Sequence, residues 1–145
     1  MTLSEWAEQH RADLQQEPPS AATIRALLQV ADREIGDAES VRSDEGRLQH
    51  AFGACLAVAS AALAASGYRV RKGASAHHYL LLESLLHTLG LTPGEVNELQ
   101  DYRKKRSRSA YEQVGVVTRT EADAALLAAR GLRERAQRTG LLQAR

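Results

Sequence analysis

Cysteine is almost absent from this chain. The one copy, Cys55, excludes an internal disulfide framework and any multi-cysteine metal site. It lies in the apolar run 51–65, where a small buried residue is the expected role rather than a nucleophile. Aromatics make up 4% of the sequence and there are 3 prolines. Long alternations of Val, Ile, Thr and Tyr are missing, so little or no sheet is expected. Charge of one sign is also missing: the formal net charge is +1. Any dense local charge is therefore a feature of that segment, not of the composition.

Several sites of chemistry are absent too. No Gly-x-Ser-x-Gly elbow supports a serine nucleophile. Gly90 and Gly94 have the wrong spacing for a phosphate-cradling loop, and no Lys-Ser/Thr follows them. Of the 5 histidines, His77 and His78 are adjacent and so point about 100° apart on a helix. His10, His50 and His87 are scattered, and no His-Glu-x-x-His pattern exists. Neither a metal nor a cofactor is expected. The N-terminus carries no signal-peptide pattern. The apolar run is broken by Ser60 and Ser66 and reads as too short to span a bilayer. The expectation is a cytoplasmic, soluble protein without membrane contact.

What is present is alanine, leucine and charge. With 145 residues and 43% apolar content, the chain suits one compact domain, and Ala and Leu favour helices. Leu3 to Leu14 reads as a short helix with Thr2 or Ser4 as N-cap, ended by the Pro18-Pro19 pair. A second helix starts near Pro19 or Ser20, with Ile24, Leu27, Leu28, Ala31 and Ile35 at helical spacing, and ends in a polar loop at 37–43. A third runs from about Asp44 to Ala65. Its second half is apolar all round, which marks a central helix, and Gly67 fits the position just past its end. Residues 68–76 read as a basic loop. A fourth helix spans His77 or His78 to Leu89, and His78 and Tyr79 at its start line a pocket or simply cap the terminus. Thr92-Pro93-Gly94-Glu95 has the form of a capping box opening a fifth helix. Thr120-Glu121-Ala122-Asp123 resembles another, opening a sixth that carries Ala124, Leu127, Ala128, Gly131, Leu132, Arg135 and Ala136 with alternating charges outside. The expected fold is all-α: an up-and-down bundle of four to five main helices plus a short N-terminal helix. Residues 1–17 form an N-terminal arm and 18–145 the bundle.

The most distinctive segment is 103–111, Arg-Lys-Lys-Arg-Ser-Arg-Ser-Ala-Tyr, where five of the first six side chains are cationic. Cations are favourable near a helix C-terminus, which gives a structural reason for the cluster. Phosphate binding is the functional reason. Arg106 follows Tyr102 and Arg103 at helical spacing, close to the core-facing stripe, where a cation needs a partner. Tyr111 lies about 140° round an ideal helix from Arg106. The two converge only if the helix ends or bends between them, or if two chains bring their copies together across a twofold axis.

The stretch Arg106-Ser107-Arg108-Ser109-Ala110-Tyr111 resembles the motif of the HEPN superfamily, small α-helical proteins of prokaryotic toxin–antitoxin and defence systems. There an Arg, often followed by Asn, precedes a His by four to six positions; some members carry a Lys-Arg-Asn-x-x-x-Tyr version. The flanks fit as well: Ala61 to Val70, His77-His78-Tyr79 opening one helix and Thr120 to Asp123 opening the last, over roughly residues 20–138. The resemblance implies a homodimer with a composite, metal-independent site at its interface. It implies phosphate or nucleic-acid contacts from Arg103, Lys105, Arg106, Ser107, Arg108 and His78. Catalysis would fall to Arg106, stabilising a phosphorane, and Tyr111, hydrogen-bonding a phosphate or ribose oxygen, with His78 the nearest titrating imidazole. The chain departs from the pattern at Tyr111, where the ribonucleases carry His, and at Ser107, where Asn is common. A tyrosine with a pKa near 10 is a poor base at neutral pH, so binding of RNA or a nucleotide is expected ahead of cleavage. The alternatives are a metal-independent endoribonuclease toxin and a non-catalytic module docking a nucleotidyltransferase-type antitoxin partner.

Overall fold

The computed structural model describes residues 1–111 and 116–141, without the side chains of 108–111. Six helices and one small two-stranded sheet make up the described residues. The helices are α1 (Leu3–Gln9), α2 (Ala21–Ser40), α3 (Asp44–Ala65), α4 (His77–Thr88), α5 (Pro93–Tyr111) and α6 (Arg119–Thr139); the strands are β1 (Leu14–Gln16) and β2 (Tyr68–Val70). The fold is the expected all-α bundle.

α3 is its axis. It touches α2, α4, α5, α6 and β2, and twelve of its residues are buried, from Leu48 to Ala65. Most are alanine, which lets the neighbouring backbones approach closely. At Gly53 a Cβ would stand 2.5 Å from Oε2 of Glu34 on α2, so the Glu34 side chain occupies the space left there. As a whole, α3 is long and apolar enough to cross a membrane, unlike the shorter run judged from sequence. Here 67% of its apolar window is packed against the rest of the protein.

The ends follow local chemistry. Ser20, Ser43 and Thr118 each accept a backbone N–H from the third residue on, and Thr92 with Glu95 closes the expected capping box. The cap of α6 is Thr118 rather than Thr120, because Glu121 at N3 returns a bond to the Thr118 N–H. The buried stripe of α6 is Ala122, Ala125, Leu126, Ala129, Leu132 and Ala136. The expected stripe through Leu127 and Gly131 was turned too far: Leu127 is 68% exposed. Gly67, at φ +93°, takes the left-handed conformation that ends α3 at low cost.

The N-terminal segment differs from expectation in one respect. The helix stops at Gln9, and the chain turns into β1, antiparallel to β2 with Leu14 opposite Val70 and Gln16 opposite Tyr68. Leu14 and Val70 are both buried, so the pairing closes a corner of the core rather than building a sheet. Trp6 is 2% exposed and its indole N–H donates to Glu83 on α4 at 2.8 Å. The segment thus docks on α4 of its own bundle.

Candidate phosphate-binding groove

The basic helix α5 leaves its cations with different fates. Lys105 turns towards α6: its Nζ lies 3.0 Å from Glu121 Oε2 and donates to the Val116 carbonyl at 3.1 Å. It is a strut between elements and does not line the groove described below. Lys104 is exposed. Arg106 turns inward, with its Cζ 5.6 Å from the ring centroid of Phe52 on α3. Arg103 lies over the Tyr79 ring at 5.7 Å and donates from Nε to Gln100 Oε1 at 2.7 Å. Among the described residues, no carboxylate forms an ion pair with Arg103 or Arg106.

Across from them stands the start of α4. Its N-cap is Ala76, which has no side-chain acceptor and makes no capping bond. An alanine cap leaves the first-turn amides without the partner that Ser, Thr, Asp or Asn supplies. The end of a helix with free N–H groups attracts anions. His78 follows, its ring edge-on to Phe52 at 6.1 Å and to His77 at 5.8 Å. Burial first, and then the charges of Arg106, His77 and Arg103, hold the His78 imidazole below its ordinary pKa. At neutral pH it is therefore uncharged and can accept a proton.

These groups line one open groove of about 340 Å³: Ser75, His77, His78, Tyr79, Arg103, Arg106 and Ser107, with Ala76 at its edge. Of the residues expected from sequence, Arg103, Arg106, Ser107 and His78 are brought together and Lys105 is not. The side chains of Arg108 and Tyr111 lie outside the described residues. The backbone of α5 is helical through Tyr111, so the helix does not end between Arg106 and Tyr111. Sequence reasoning missed Phe52, the seat of Arg106, and Gln100, the anchor of Arg103. Phe52 reads only as part of the apolar run. Gln100, between Leu99 and Asp101, is polar and carries no signal of burial.

Among the other places that could hold a ligand, two stand out. Glu34, Asp37 and His50 each offer a donor atom within 4.8 Å of the others, with His50 Nδ1 3.4 Å from Glu34 Oε2. That pair already satisfies itself as a hydrogen-bonded couple across α2 and α3. A second groove, about 330 Å³, runs between α5 and α6 over Leu91, Leu99 and Leu132, with Glu95, Glu98 and Arg135 on its rim. Its acidic and basic rim groups answer each other, as in the Arg135–Glu95 pair at 3.3 Å, so it offers an anion less than the α4–α5 groove does.

No protein-family model, curated protein or solved structure matches this chain.

Proposed function

We propose that this chain is a HEPN-like helical-bundle protein that binds RNA or nucleotide phosphate. In this reading it acts in the cytoplasm as a homodimer in a toxin–antitoxin or defence setting. One observation carries the reading: Arg103 and Arg106, without carboxylate partners among the described residues, face the uncapped start of α4 across one groove. Guanidinium forks match phosphate oxygens bidentately, the α4 amides add donors, and Ser107 adds a hydroxyl. Seating Arg106 on Phe52 fixes its direction before a ligand arrives. The dimer is supported by the unbroken α5. On an ideal helix about 140° separates positions 106 and 111, and the resemblance implies that a second copy completes the motif across a twofold axis.

The direct test is binding of single-stranded RNA as a function of salt, for wild type and Arg106→Ala. The reading expects affinity to fall steeply with salt and the variant to bind more weakly with a shallower slope. Salt-independent binding, or no binding, would reject it. A monomer in light scattering at micromolar concentration would reject the interface site.

A second reading, metal-independent RNA cleavage, is favoured by one fact: a neutral imidazole, His78, lies beside Arg106 in the same groove. His78 would take the proton of a ribose 2′-hydroxyl as that oxygen bonds to phosphorus and the P–O5′ bond breaks, the 5′-oxygen leaving with a proton from the imidazolium or water, and Arg106 would stabilise the charge developing on the phosphoryl oxygens. Cleavage by wild type that is lost in His78→Ala and Arg106→Ala supports it. Equal activity in wild type, both variants and Tyr111→Phe excludes it. Docking of a nucleotidyltransferase-type partner rests on the resemblance alone.

A further inference from the structure

Tyr79 is 42% exposed, an unusual position for a large ring that is held so firmly. Its O–H donates to Glu83 Oε2 at 3.1 Å, and that bond, with the Glu83 charge, raises the phenol pKa, keeping the proton on oxygen. Its backbone carbonyl accepts from Gln100 Nε2 at 3.1 Å. Its ring carries the Arg103 guanidinium, 5.7 Å from the centroid. Gln100 is only 7% exposed, and its other amide atom, Oε1, accepts from Arg103 Nε at 2.7 Å. A buried amide is costly unless both ends are used, and here both are spent on positioning. Gln100 fixes Tyr79 through the backbone and Arg103 through the side chain, and Arg103 then lies on the ring of Tyr79. The contacts form a closed circuit at the mouth of the groove that holds Arg106, Ser107 and His78.

We propose that Tyr79 is a stacking platform for an unpaired nucleobase whose phosphate sits on Arg103 and Arg106. The ligand is then a nucleotide unit, base plus phosphate, from a single RNA strand or a free nucleotide, and not a bare anion or a duplex. The proposal rests on the phosphate reading above and specifies its ligand. The chemistry is that of single-strand recognition: cations draw in the backbone, and an exposed ring offers a π-face to any base. A duplex keeps its bases stacked on each other and cannot use the ring. Gln100 is a positioning residue, acting only through Tyr79 and Arg103.

The test compares short oligoadenylate, an abasic strand of the same length, blunt duplex RNA and adenosine monophosphate, by fluorescence anisotropy or calorimetry. Wild type is expected to bind oligoadenylate roughly ten- to a hundredfold tighter than the abasic strand, the range that one base stacked on an aromatic ring supplies. Tyr79→Ala should lose that preference, binding the two strands alike, and Tyr79→Phe should keep it. Gln100→Leu should narrow the preference without touching Tyr79 itself. Saturable binding of adenosine monophosphate with the same Tyr79 dependence would identify a free nucleotide as the source. Equal affinity of wild type for oligoadenylate and the abasic strand overturns the platform and leaves the phosphate reading standing. Failure to bind either strand overturns both.

Discussion

The guanidinium of Arg106 rests on the ring of Phe52, Cζ to centroid 5.6 Å. Phe52 is 1% exposed and part of the central core. One side chain of the axis helix thus fixes the direction of the cation at the heart of the groove. The aromatic face contributes roughly 0.5–2 kcal/mol to holding the cation there. Phe52→Leu keeps the site apolar but removes that face. RNA affinity should fall severalfold in a variant that still folds, with thermal unfolding as the control for the core. Undiminished affinity would show that Arg106 needs no seat.

The cations of α5 should separate in a salt titration. Arg103→Ala and Arg106→Ala should each reduce the salt slope by about 0.7, one phosphate contact on a single strand. Lys105→Ala should leave the slope unchanged, because Lys105 is committed to Glu121 and Val116. It should instead lower stability by about 1 kcal/mol or less, the ordinary worth of a partly exposed pair. Chemical denaturation measures the second effect.

His78 gives a pH signature. Its folded pKa lies below the ordinary value of 6.5, burial being the larger cause and the charge of Arg106 the next. The unfolded chain therefore takes up the proton first as pH falls. The contribution of neutral His78 to stability is present above about pH 6.5 and declines below it, down to the folded pKa. His78→Gln should flatten the stability profile in that acid window. Arg106→Ala should raise the His78 pKa in an NMR titration while leaving it below 6.5, since burial persists. No change on removing Arg106 would place the two groups too far apart to share a ligand.

Cys55 should be inert. Burial pushes its thiol up to about 12, so almost no thiolate exists at neutral pH. A disulfide-exchange reagent should label it only after denaturant is added, at a rate set by unfolding. Fast labelling of the native protein would contradict the packing of α3 against α2, α5 and α6.

The cap of α6 can be checked by a pair of substitutions. Thr118→Ala removes the side-chain acceptor for Glu121 N–H and should cost about 1 kcal/mol. Thr120→Ala, at an exposed position, should cost a few tenths at most on the scale of ordinary surface changes. Denaturant midpoints of the two variants read the difference.

These contrasts also show what the chain discloses on its face. Helices α3 and α5 were legible to within a residue, because the polar loop before Asp44, Gly67 after Ala65 and the Thr92-Pro93-Gly94-Glu95 capping box mark their ends. The start of α6 was misplaced by two residues. Both Thr118 and Thr120 precede acidic residues, and only the reach from Glu121 back to Thr118 distinguishes them. The stop of α1 at Gln9 was not legible. The helical spacing of Leu3, Trp6, His10 and Leu14 is satisfied by a helix and equally by a helix, a turn and a three-residue strand. In the groove, Arg106, Arg103, Ser107 and His78 were readable as residue types at suggestive positions. Their meeting was not, because His78 and Arg106 belong to helices brought together by α3. Gln100 and Phe52 gave no local signal, since their roles exist only in the packed bundle.

The central claim is that phosphate binds where α5 faces the uncapped start of α4. The most direct measurement is a ¹H–¹⁵N NMR titration of the full chain with single-stranded RNA. The account predicts the largest shifts at the amides of Ser75 to Tyr79 and Arg103 to Ser107, with the Arg106 side-chain Nε–H among them. Shifts confined to the α5–α6 groove around Leu91, Leu132 and Arg135, with those segments unmoved, would contradict it.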